Sequence, residues 1–284
     1  MRLNSIQFLR ALAVILVVHT HGLEIQMMYS VSWQQHFFYL DNFGAIGADM
    51  FFVISGFIIS YVANKYVGIT AGFAFLKKRF LRVNPVYYLI SLIAFIVFLI
   101  CFHPFPWGEM FRGLVDTIFM IPLLNMQTGL NPIISIGWTL SFEWWFYLLF
   151  FLLVVVKVKN KGFSMLLLIL FLVVMGYIFR VQDFRLIFIT NSIMLEFCLG
   201  MVIYWLYCHV KIPVYVAWGV LLLGIAGYVY NIIGGYGNIS ELSNIILGIG
   251  SMKRVLLWGI PSACIVAGCI FLENNGILHL LWSN

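Results

Sequence analysis

Charge is what this sequence has least of. Of its 284 residues, 9% are Asp, Glu, Lys or Arg, while 63% are hydrophobic. No polar block is long enough for a separate soluble domain, and apolar runs of roughly 20 residues, enough to cross a bilayer, recur along the chain. That pattern excludes a soluble globular domain and describes an all-α, polytopic membrane protein. Internal repeats and low-complexity tracts are also missing. The first apolar stretch has no small-x-small cleavage site and is broken by Arg10, which argues against a cleaved signal peptide. The cysteines (Cys101, Cys198, Cys208, Cys264 and Cys269) show no metal-ligand spacing, so no metal is expected, and they read as apolar filler. In such a chain the net charge of +6 is a topology signal, not a nucleic-acid signal.

Spans are expected near residues 6–25, 43–63, 84–102, 136–156, 163–180, 186–208, 213–233 and 254–272. A shorter stretch, GLVDTIFMIPLL (113–124), is interrupted by Asp116 and Pro122 and reads as re-entrant or interfacial. Lysine and arginine orient the bundle. Lys65, Lys77, Lys78, Arg79 and Arg82 follow the second span, Lys157, Lys159 and Lys161 the fourth, and Lys211 the sixth. Residues 26–42, after the first span, contain neither Lys nor Arg. By the positive-inside rule the N-terminus is cytoplasmic, although Arg112, Arg180, Arg185 and Lys253 fall on the opposite side.

Ionisable groups within a span cost about 2.5–3.5 kcal/mol on insertion scales, so each needs a partner or a role. The first span, IQFLRALAVILVVHTHG, carries Arg10, His19 and His21. At 100° per residue, Arg10 and His21 are about three full turns apart and share a face, separated by about 16 Å along the axis. His19 falls on the opposite face. Gln7 and Glu24 extend the Arg10/His21 stripe, which should face the interior or a wet cavity. The bland alternative is that Arg10 snorkels to the interface and a histidine near the helix end sits among headgroups. Asp49 opens the second span, Glu143 lies early in the fourth and Glu196 midway in the sixth. Thr139, Glu143 and Tyr147 share a face. Both glutamates are open to a site role or to structural charge compensation. Arg79 and Arg82, three apart in FLKKRFLRVNPVYY ahead of Pro85, suit phosphate oxygens, and equally a topology signal or an anionic-lipid contact.

Together these stretches resemble the acyltransferase-3 family of integral-membrane acyltransferases. LRALAVILVVHTH is similar to the family's first-helix run, in which Arg and His stand eleven positions apart, and this maps onto Arg10 and His21. GADMFFVISGF, RFLRVNP, WTLSFEWWFY and EFCLG resemble its further signatures in the correct order. The pattern looks closest to members that decorate exopolysaccharides and surface glycans. The resemblance implies a multi-pass enzyme of the bacterial inner membrane. It would move an acetyl or other acyl group from acetyl-coenzyme A to a hydroxyl of an extracytoplasmic glycan, or of a lipid-linked glycan acceptor. The family typically has ten spans. This chain is expected to be a single acyltransferase domain over 1–284 with about eight, lacking the last one or two helices. His279 does not match the pattern of the family's last helix.

The chemistry needs a base, and histidine accepts a proton near neutral pH. His21, Arg10 and Glu143 are therefore the candidate catalytic residues, with Glu143 orienting His21 or Arg10. Arg79 and Arg82 are the candidate ligands of the coenzyme A phosphates, and the pantetheine arm is expected to pass Arg10. An acyl-histidine intermediate is an alternative to direct transfer. The competing function is a transporter or flippase for a surface-glycan component, in which the same groups form a substrate or proton path. No matching pair of broken helices is visible to support it.

Overall fold

The computed structural model describes residues 3–29, 45–101, 107–120, 132–134, 136–236 and 245–277. These are helical, with no strand among the described residues. Among the described residues, seven helical stretches, one of them the interrupted Phe184–His209, are long and apolar enough to cross a membrane, and a shorter apolar helix covers Ile46–Val62. Each of the eight expected spans is therefore covered by helix, the sixth (186–208) in two pieces, Phe184–Ile189 and Leu195–His209. The chain divides into two compact bodies, one formed by residues 1–61, 192–245 and 249–284 and the other by residues 62–191 and 246–248.

The first body contains α1 (Asn4–Tyr29), α2 (Ala45–Val62) and three later helices. Its core joins Leu9 and Ala13 of α1 to Ile46, Met50, Val53 and Phe57 of α2. Without a hydrophobic drive between helices in lipid, close backbone approach supplies much of the packing. Gly56 of α2 and Gly200 meet in this way. A Cβ on Gly56 would overlap the main chain of Phe197, and one on Gly200 would overlap that of Val53. The N-terminus of α1 is held by a residue near the far end of the sequence. The Glu273 carboxylate accepts the main-chain N–H groups of Asn4 at 2.8 Å and Ser5 at 2.9 Å, and also the Ser5 hydroxyl. Those donors would otherwise be unpaired helix-terminal groups, and the carboxylate sits favourably at the positive end of the helix.

The second body contains α3 (Ile69–Cys101), α4 (Trp107–Phe119), α5 (Gly137–Val155), α6 (Lys161–Ile178) and the short α7 (Phe184–Ile189). Asn160 caps α6 by accepting the Phe163 N–H at 3.3 Å. Asp183 caps α7, accepting the N–H groups of Arg185 at 3.0 Å and Leu186 at 3.2 Å. Phe75 of α3 is the centre of packing, with its ring against Tyr66, Tyr147 and Phe150.

One expectation needs correction here. Pro85 was expected to start the third span after a basic loop, but it lies inside α3, which runs unbroken through Arg79 and Arg82. At 1.5 Å per residue this 33-residue helix is about 50 Å long, against a hydrocarbon core of about 30 Å, so its basic N-terminal part projects beyond the core. The stretch read as re-entrant or interfacial forms the end of α4, where Asp116 and Thr117 are buried while Phe111, Ile118 and Phe119 face outward. At 13 residues α4 is too short to span. Pro122, most of 26–42 and His279 lie outside the described residues.

The remaining helices of the first body are α8 (Leu195–His209), α9 (Val214–Ile233) and α10 (Ser251–Asn274). Helix α10 packs along α9 and also touches α8 and α1. It is α-helical except over Val255–Gly259, where it opens into a π turn. The side-chain amide of Asn231 from α9 donates to the Leu257 carbonyl within that turn. Wide turns of this kind arise where a side chain inserts into the main-chain ladder, and they are frequent at functional sites.

Candidate functional site

Polar groups gather in each body. In the first, Asp49 near the start of α2 meets Arg254 in the first turn of α10. Arg254 donates from Nε to Asp49 Oδ1 at 2.8 Å and from a terminal nitrogen to Oδ2 at 3.2 Å. Both side chains are fully enclosed, at 0% and 2% exposure, so the pair is a two-pronged ion pair buried within the protein. Glu196, in the first turn of α8, is buried beside them. Neither of its oxygens accepts a hydrogen bond from an N–H group of the described residues. Its room comes from Gly259 at the end of the π turn, where a Cβ would lie 2.8 Å from Glu196 Oε1. Tyr228 bonds to the Ser262 hydroxyl and packs its ring 6.0 Å from Trp258, closing this polar centre from α9.

The sequence singles out Asp49 and Glu196, while Arg254 stands there only as the first position of the span expected over 254–272. A signal was available, since two acids inside spans require a cation, and Arg254 opens an apolar run.

Helix α1 carries Arg10 and His21 on one side. Both are half-buried, whereas His19 is exposed. The face separation expected from the 3.6-residue period is thus visible in burial. Gln7, expected on the same stripe, is exposed, and the Glu24 side chain lies outside the described residues.

The second body brings Arg79 and Glu143 together through Tyr147. The Arg79 guanidinium lies 5.3 Å from the centre of the Phe75 ring and 5.4 Å from that of Tyr147. The Tyr147 hydroxyl donates to Glu143, one turn earlier on α5. Thr139, placed on the same face by periodicity, turns its hydroxyl to the Ile136 carbonyl at 2.9 Å. Arg82 is exposed on the same helix as Arg79. A neighbouring network braces this region: Trp144 donates to Asn84 at 3.1 Å, Asn84 to Tyr88 at 2.9 Å, and Tyr88 to the Ile118 carbonyl of α4 at 2.7 Å.

Comparison with known proteins agrees with the signatures. The exopolysaccharide production protein ExoZ of Rhizobium meliloti (strain 1021) is 28% identical over 239 residues, covering 84% of this chain and 70% of that protein. The acyltransferase MdmB of Streptomyces mycarofaciens is 28% identical over 147 residues, or 50% of this chain and 36% of MdmB. Protein 2 in the picA locus of Rhizobium radiobacter is 33% identical over 154 residues, 48% of this chain and 73% of that protein. No solved structure matches the chain. A family model described as an acyltransferase domain, Acyl_transf_3, matches residues 3–283, and the chain belongs to that family of membrane acyltransferases.

Proposed function

We propose that this multi-pass membrane acyltransferase moves an acetyl group from acetyl-coenzyme A to a hydroxyl of an extracytoplasmic glycan, in a bacterial inner membrane with its N-terminus cytoplasmic. The observation that carries the reading is the Arg10/His21 face of α1, half-buried while His19 is exposed, within a chain whose family signatures run in order. The similarity to an exopolysaccharide production protein supports a glycan acceptor.

His21 acts as the base. The acceptor oxygen attacks the thioester carbonyl as its proton passes to the imidazole. The carbon–sulfur bond breaks, the proton goes on to the departing thiolate, and an ester and free coenzyme A result. Arg10, on the same face but about 16 Å away along the axis, lines the path by which the pantetheine arm brings the thioester to His21. Arg79 and Arg82 hold the phosphates of the donor, for which planar guanidinium groups are suited. The test is transfer of labelled acetyl from acetyl-coenzyme A in membranes, together with surface-glycan O-acetylation in cells with and without the protein. Absence of both would sink the reading, and movement of an unmodified glycan component would favour a transporter.

A further inference from the structure

Arg79 does not stand alone on its helix. Phe75 is one turn earlier on α3, and its ring forms one wall beneath the guanidinium at 5.3 Å. The other wall comes from a different helix: Tyr147 of α5 places its ring 5.4 Å from the same group. The two rings meet edge to face, 5.7 Å apart with their planes at 90°, so they form a corner. Phe75 and Tyr147 are both buried, which fixes the corner, and Arg79 is half-buried in it. Because the two rings stand at 90°, the planar guanidinium can lie parallel to only one of them; the ring faces steady the cation without offering it an oxygen acceptor, which leaves N–H groups for an anion. Among the described residues no carboxylate forms an ion pair with Arg79. The opposite end of Tyr147 is also engaged, since its hydroxyl donates to Glu143.

We propose that Tyr147 is a positioning residue with two separable parts: a ring that aims Arg79 at the anionic phosphates of the acyl donor, and a hydroxyl that fixes Glu143. The proposal rests on the donor assignment made above. The two parts predict different kinetics. Tyr147→Phe keeps the ring and removes the hydroxyl. Tyr147→Leu removes both. Loss of a cation–π contact at a half-buried site corresponds to about a threefold to tenfold weakening of whatever Arg79 holds.

The experiment uses the full-length protein in detergent. It measures coenzyme A binding and, in membranes, the dependence of transfer on acetyl-coenzyme A, for the wild type, Arg79→Ala, Tyr147→Leu and Tyr147→Phe. Expected are a Kd and KM for the donor raised about threefold to tenfold in Tyr147→Leu. Tyr147→Phe should bind the donor like the wild type but show a lower kcat. A loosened fold would lower both properties in both variants, so rescue of donor binding by the phenylalanine separates positioning from general damage. Two results overturn the proposal: donor binding weakened by Arg79→Ala but untouched by Tyr147→Leu, or weakened equally by the leucine and the phenylalanine. Coenzyme A binding without any transfer removes the transfer reading and leaves the proposal to be decided by the Kd values. A wild type that binds no coenzyme A overturns both.

Discussion

Two arginines of this protein show opposite solutions to the same problem. Arg254 is fully enclosed and gives its Nε and a terminal nitrogen to Asp49. Arg79 is half-buried and sits in the corner between two aromatic rings. The first has spent its directional donors on a carboxylate contributed by another helix. The second is steadied without spending them. A charge committed to a buried partner holds helices in register, and its removal leaves an uncompensated ion. A charge steadied by aromatic faces can still receive an anion. Burial alone would have ranked Arg254 as the more important site residue. The partner set reverses that ranking: Arg254 is committed to Asp49, whereas Arg79 has no carboxylate partner among the described residues.

Breaking the buried pair should have the largest effect. Arg254→Ala or Asp49→Ala should cost about 3–5 kcal/mol, because each strands one charge in the bundle. The expected outcome is loss of folded protein from detergent-solubilised membranes, read by size-exclusion profile. The double variant Asp49→Leu/Arg254→Met should recover a large part of the folded yield, since it removes both ions. Well-folded Arg254→Ala protein with weakened donor binding would invert the comparison.

The active-site prediction comes next, in catalysis and not in stability. His21→Ala should lower transfer by about 10²- to 10⁴-fold, the usual worth of a general base, while the protein stays in the membrane. His19→Ala should keep most activity, since His19 is exposed on the other side of α1. An inactive His19→Ala beside an active His21→Ala would dismantle the site built on that face.

A smaller change is expected at the open arginine. Arg79→Ala should leave folded yield unchanged and raise the KM for acetyl-coenzyme A about tenfold, from the loss of charge-assisted phosphate bonds. Arg79→Lys should recover only part, since an ammonium has neither the planar face nor the fork. A fall in folded yield comparable with that of Arg254→Ala would make both arginines structural.

How much of this was legible in the sequence follows from the range of each interaction. The spans could be read because hydropathy is a local sum, and each one is covered by helix. The opposite exposure of His19 and His21 could be read because helical period is local as well. The Asp49–Arg254 pair joins residues 205 positions apart and leaves no spacing signal. The ring of Tyr147 beneath Arg79 is hidden for the same reason: periodicity showed which face of α5 it occupies, not which helix that face meets. The interruption of the sixth span around Thr190–Met194 and the π turn of α10 were not legible either. Both depend on packing, through Asn231 and Leu257 in the case of the π turn. Pro85 misled because proline is a local breaker, yet α3 absorbs it without ending.

The smallest effect belongs to a third kind of ionisable group, a buried carboxylate that, among the described residues, is held by neither a cation nor an aromatic ring. Glu273 is 4% exposed and accepts its hydrogen bonds from the first turn of α1, including the N–H groups of Asn4 and Ser5. Glu273→Gln keeps an acceptor oxygen in place but removes the negative charge from the helix N-terminus. The cost should be about 1 kcal/mol, the usual worth of a cap or of a charge at a helix end. In thermal unfolding of the purified protein this is a fall of roughly 2–4 °C, with transfer activity at low temperature unchanged. Glu273→Ala, which also strands the donors of Asn4 and Ser5, should lose more than the glutamine variant. If the glutamine variant instead falls as far as Arg254→Ala, the α1 terminus depends on that carboxylate as strictly as the α2–α10 contact depends on its ion pair, and the distinction drawn between committed and merely steadied charges no longer separates structure from function.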